Sequence, residues 1–250
     1  MSMMSMTAIL IFIYFTCIWF IIVLLAKVKE TKYVNVSFVI LNCAFFLALN
    51  MYYFRVRDNF KFMTFDNISP FTFTFMPFIF VFRKKIREAF MAAISFLSIG
   101  MFIAMLITPQ YAYLFHFNNE AGMDYLFDAL CHLNCSLFGI YLIASGQVKI
   151  TFNNLFKSTL FMYFVITFGV LSNYIFHTNF FGMCPYGGYS IYFIDIFEEY
   201  WSTLIAYYVG VFLVLSIGFF VNAFLNNVSG NEVAFHEVQF KKKYFRDEVQ

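Results

Sequence analysis

Charged residues are scarce in this chain. Asp, Glu, Lys and Arg make up only 12% of its 250 residues, where a soluble domain carries about a quarter. Glycine and proline are also few, at 11 and 4, which excludes collagen-like and linker compositions. Apolar residues reach 62% and aromatics 24%, with 40 phenylalanines among them. Disorder requires low hydrophobicity and is excluded as well. The class that fits is an all-α, polytopic membrane protein. The net charge of +2 points to no nucleic-acid partner. Five cysteines, most of them in apolar stretches, do not form a disulfide framework. The first 26 residues carry no charge, so they lack the basic start of a signal peptide and read as a first span.

A transmembrane helix needs about 20 mainly apolar residues. On that criterion the chain divides into seven spans, at 4–26, 33–54, 67–82, 89–108, 126–148, 157–176 and 201–225. The third is short and carries Ser69, Pro70, Thr72 and Thr74, a pattern that predicts a segment tilted, kinked or stabilised by neighbouring helices. Basic residues alternate with the loops. Thirteen of the 16 fall on one side, leaving Arg55, Arg57 and Lys61 on the other. The positive-inside rule then puts the N-terminus outside and the C-terminus in the cytoplasm. One transmembrane domain covers residues 1–225, and residues 226–250 form a polar tail with a basic cluster suited to anionic lipid. The loop from Cys184 to Trp201 mixes aromatics with acids and predicts a short interfacial helix. Membrane lipids are the expected partners, in a bacterial plasma membrane, and a protein partner in a larger membrane complex is the other candidate.

Ionisable groups inside spans are costly and mark functional sites by default. The fifth span holds Asp124, Asp128, Cys131, His132, Asn134 and Cys135. Asp128 and His132 are four residues apart and share a helix face. A carboxylate so placed fixes one imidazole tautomer and stabilises the protonated ring. This is the arrangement of a general base or of a proton relay. Helix packing explains the same polar face without chemistry. Hydroxyls of the third span, Ser69, Thr72 and Thr74, are nucleophile or binding candidates. Pro70 frees a backbone carbonyl among them, and the competing explanation is that they only join helices. Asn173, His177 and Asn179 end the sixth span in the same outer zone, where a polar cavity is expected. No lysine in the last span can hold retinal, no Asp-Arg-Tyr or Asn-Pro-x-x-Tyr motif marks a G-protein-coupled receptor, and no zinc-ligand spacing or nucleotide loop is present. No cofactor and no metal are expected.

The proline-marked third span (Ser69-Pro70-Phe71-Thr72-Phe73-Thr74), Thr108-Pro109-Gln110, the His132 span with Tyr141-Leu142-Ile143, and Asn173 to Asn179 resemble the YwaF-like family of bacterial integral membrane proteins. That family is distantly similar to the eukaryotic acyltransferase transmembrane protein 164. The resemblance covers residues 63–225. It implies a lipid acyltransferase or lipid hydrolase, in which Thr72 or Thr74 attacks an acyl ester, His132 takes the proton, Asp128 orients His132, and Asn134 or Asn173 donates to the oxyanion. Family members often carry Cys or His just after the proline, where this chain has Phe71 to Thr74. The residues alone leave two other readings open: a transporter or channel subunit using Asp128 and His132 as a proton or cation site, and a non-catalytic subunit of a larger complex.

Overall fold

A computed structural model describes residues 12–21, 24, 27–28, 30–57, 68–107, 122–177, 180–182 and 200–228. The described residues are helical, with no strand among them. In chain order the helices are α1 (Phe12–Ile21), α2 (Thr31–Arg57), α3 (Ile68–Phe75), α4 (Lys84–Ile107), α5 (Gly122–Ala144), α6 (Phe152–Phe176) and α7 (Tyr200–Val228). Four of them, α2, α5, α6 and α7, hold apolar stretches long enough to cross a membrane. At 1.5 Å per residue, the 25 residues of α6 reach about 38 Å, beyond a hydrocarbon core of about 30 Å.

These helices are apolar on every side, and burial separates the sides. On α6, Phe156, Leu160, Phe164 and Phe168 recur every fourth residue and are exposed. Leu155, Met162, Val165 and Ile166 are buried on the other face. A helix apolar all round suits a bilayer, with one stripe to the bundle and one to the acyl chains. In the interior, α4 packs against α5, α6 and α7, while α5 packs against α2 and α4. Aromatic rings fill the gaps, with Phe96 edge-on to Phe219 and Phe90 edge-on to Phe161.

Close approach depends on small residues. A Cβ on Gly139 of α5 would lie 2.7 Å from the Ile94 carbonyl and 2.8 Å from Ser98 Cβ on α4. A Cβ on Gly218 of α7 would run into the Phe96 carbonyl. The same seam carries hydrogen bonds. Ser136 of α5 donates to the Ser98 carbonyl at 2.6 Å, the Tyr14 hydroxyl of α1 joins Ser136, and Asn222 of α7 donates to the Ser95 carbonyl at 3.1 Å.

Several helix ends differ from the expected span limits, for local reasons. The span expected to run to residue 148 stops at Ala144, because the chain reverses at Gly146 with φ +73° and the Val148 N–H returns to the Leu142 carbonyl. The span expected from 157 begins at Phe152, capped by Thr151, whose hydroxyl accepts from the Asn154 N–H at 3.2 Å. The third span, expected to be tilted, kinked or stabilised by its neighbours, departs from a regular α-helix. The helix changes character further on, tightening into a 3₁₀ segment at Met76–Phe80 with Pro77 in its opening turn.

Asn35 at the start of α2 and Gln147 after α5 exchange amide hydrogen bonds at 2.7 and 3.2 Å. Phe152 at the start of α6 stacks on Phe219 near the end of α7. One end of the bundle therefore gathers the start of α2, the end of α5, the start of α6 and the end of α7.

Candidate functional site

The site grows from the middle of α5. His132 lies about 15 Å along the helix from Gly122 and about 18 Å from Ala144. It is only 2% exposed. Its Nδ1 is 2.8 Å from the Asp128 backbone carbonyl and 3.6 Å from Asp128 Oδ1. The expected four-residue pairing is thus realised as contact, with the carbonyl of the preceding turn sharing the same nitrogen. The Asp128 side chain keeps 18% of its surface exposed, so the pair is sealed at the imidazole and open at the carboxylate.

Helix α3 forms the wall opposite. The Phe73 ring stands edge-on to the His132 imidazole, with centroids 4.8 Å apart. Thr72, 1% exposed, hydrogen-bonds to the Cys135 thiol one turn below His132. Thr74 is half-buried. Thr72 and Phe73 of the third span therefore meet Cys135 and His132 of the fifth at one junction.

A third helix completes the junction with a residue that sequence reading passed over. Asn42 of α2 is fully buried and donates from Nδ2 to the Phe73 carbonyl at 2.8 Å. The Cys135 thiol lies 3.7 Å from Asn42 Oδ1 and 3.7 Å from Met76 Sδ. The sequence signal for Asn42 was an amide in the middle of an apolar run, Ile40-Leu41-Asn42-Cys43-Ala44. A buried amide costs free energy unless it is hydrogen-bonded, so it marks a helix contact even where it marks no chemistry.

The other expected residues lie elsewhere. Asn134 is buried against α2, where its amide donates to the Phe38 carbonyl at 3.0 Å. Asn173 is fully buried and clamps both backbone groups of Phe180: it donates to the carbonyl at 2.9 Å and accepts from the N–H at 2.7 Å. This clamp closes a turn after α6 in which His177 (φ 52°) and Phe181 (φ 58°) take the left-handed conformation. The Phe181 ring then fills the space above Gly169, where any Cβ would collide with it. His177 is exposed at the helix end. The side chain of Ser69, Asn179, the loop at 184–199 and the tail from 229 lie outside the described residues. Among the described residues, no group of three or more His, Cys, Asp or Glu is close enough to hold a metal ion.

No family model matches the chain, and neither a curated protein nor a solved structure matches it. The chemistry of the junction must therefore be argued from its geometry. An imidazole against a carboxylate inside an apolar bundle can take up and release a proton. Its neighbours on α3 are an aromatic edge and a hydroxyl engaged with a thiol.

Proposed function

We propose that this chain is a seven-span membrane protein, N-terminus outside and C-terminus cytoplasmic, whose Asp128–His132 pair is the proton-binding site of a transport or channel activity. A bacterial plasma membrane is the matching location. The observation that carries the reading is the pair itself: His132 Nδ1 at 3.6 Å from a partly exposed carboxylate, at mid-helix, with the ring otherwise sealed. A proton is the one substrate that reaches such a site without a wide opening, and intramembrane Asp–His pairs suit proton relay. The basic end of the bundle supports the orientation. The Asn35–Gln147 pairing puts the Lys32 and Lys149 ends together. Helix α4, at 24 residues with all its charges in the first five positions, has the length and character of a further span.

The test is proton flux in proteoliposomes under a pH gradient, followed by a trapped pH dye. Asp128→Asn and His132→Ala should each abolish flux while leaving the protein monodisperse. Flux that survives both substitutions sinks the reading.

One observation favours a second reading, lipid acyl transfer. Helix α3 lays Phe73 on His132 and Thr72 on Cys135, so a hydroxyl-bearing segment and a base meet. Thr74, the more accessible hydroxyl, would bond to the acyl carbon as its proton passes to His132 and then to the leaving alcohol. Asp128 would orient the imidazole. An acyl adduct in native mass spectrometry that vanishes in Thr74→Ala would support this version; no adduct with any phospholipid would count against it.

A further inference from the structure

Directly after α3, the 3₁₀ segment Met76–Phe80 contains a proline at position 77, and its consequence is local and definite. In a continuing α-helix the N–H of residue 77 would bond to the Phe73 carbonyl four residues back. Proline has no N–H, so that carbonyl loses its intrahelical donor. In an apolar bundle an unsatisfied carbonyl is costly and must be satisfied from elsewhere. The donor found there is Asn42 Nδ2 of α2, at 2.8 Å. Phe73 is also the residue whose ring stands edge-on to His132. The other side of the Asn42 amide faces Cys135, one turn from His132 on α5.

We infer that Asn42 is the positioning residue of the Asp128–His132 site: it replaces the hydrogen bond that Pro77 removes, and so fixes the Phe73 ring against the imidazole. This assignment rests on the reading of Asp128–His132 as the working site. The break at Pro77 transfers control of the α3 backbone from α3 itself to α2. Three helices are then coupled at one carbonyl, and a change in α2 is felt at the imidazole through Phe73. The hydrogen bonds of Asn42 go to the Phe73 carbonyl and the Cys135 thiol. It acts through the ring that it places.

The coupling makes a specific prediction about pairs of substitutions. Asn42→Leu leaves the Phe73 carbonyl without its donor, and α3 shifts away from α5. The second substitution Pro77→Ala returns an N–H to position 77, which can bond to the Phe73 carbonyl and so extend α3. Pro77→Ala therefore rescues Asn42→Leu, although the two residues lie on different helices. A purely space-filling role for Asn42 would not be rescued in this way.

The experiment uses the full chain in lipid nanodiscs with isotope-labelled histidine, His132 being assigned by its loss in His132→Ala. Two signals are read. One is the His132 ring-proton shift, which senses the ring current of Phe73. The other is the labelling rate of Cys135 by a membrane-permeant maleimide, with the remaining cysteines replaced by serine. Asn42→Leu should move the His132 resonance toward its value in Phe73→Leu and raise Cys135 labelling at least severalfold. Adding Pro77→Ala should restore both. Unchanged signals in Asn42→Leu overturn the proposal, and so does a change that Pro77→Ala fails to reverse. Should Asn42→Leu alone not fold, recovery of a monodisperse protein by the double substitution supports the proposal, and no recovery overturns it. Proton flux of Asp128→Asn is read in the same preparation. Flux untouched by that change removes the site, and leaves the Asn42–Phe73 coupling to stand or fall on its own signals.

Discussion

Two buried polar regions cross this apolar bundle, and they differ in what their polar groups are asked to do. In the seam between α4, α5 and α7, Ser98, Ser136 and Asn222 are neutral, and their side chains donate to backbone carbonyls. Glycines at 139 and 218 bring the helices close enough for those bonds. In the junction of α2, α3 and α5, an ionisable pair sits beside a helix that has given up its regular pattern at Pro77. The seam uses polarity to hold helices together where apolar burial offers no driving force in lipid. The junction holds groups that can change charge, next to a backbone held by a neighbour's side chain. Burial alone does not tell the two apart, since members of both are almost fully buried. Titratability and helix regularity do.

The sharpest way to break this contrast is to strike the seam where backbone meets backbone. Gly218→Val should destabilise by about 3 kcal/mol or more, because its side chain must enter the space of the Phe96 carbonyl, which cannot turn aside. Unfolding by denaturing detergent, read by circular dichroism, checks this. A stability loss under about 1 kcal/mol would show that α7 can slide, and would remove the argument for a tight seam.

At the junction the effect should fall on function. Asp128→Asn should abolish proton flux, yet cost roughly 1 kcal/mol or less of stability, since the carboxylate is partly exposed and its amide replacement can still face the imidazole. A large loss of stability with flux retained would turn the junction into a second seam.

Smaller effects grade the seam itself. Asn222→Ala removes donors to the Ser95 and Gly218 carbonyls and should cost about 1 kcal/mol by the same detergent titration. Gly210, also on α7, has open space where a Cβ would stand. Gly210→Ala should be neutral or stabilise by up to about 1 kcal/mol through helix propensity. Equal penalties at 210 and 218 would mean that glycine matters on α7 for some reason other than contact with α4.

Much of the helical layout was readable from composition. Apolar runs separated by basic or acidic loops located α2, α5, α6 and α7 to within a few residues at most ends, because span length is dictated by bilayer thickness. The ends were less legible. They depend on single caps such as Thr151 and on Gly146 adopting positive φ. The Asp128–His132 pair was legible because four-residue spacing on a helix guarantees proximity. The rule about freed carbonyls can be followed at Pro77, where α3 precedes the ring and the helix tightens. Asn173 was read as a binding group because it is polar and near a helix end. Its amide bonds to both backbone groups of Phe180, and a bond between residues seven apart has no sequence period to announce it.

The sequence by itself determined that this chain is helical and suited to a membrane, and it put a carboxylate and an imidazole on one face of α5. Those are consequences of composition and of the helical repeat, which act within a single segment. Only the tertiary structure decided which segment faces that pair, and that Asn42 of α2 answers the carbonyl that Pro77 leaves open. The physical reason is that satisfaction of a buried polar group is a demand any neighbouring helix can meet. Which helix meets it depends on packing, and packing is fixed by contacts between residues far apart in the chain.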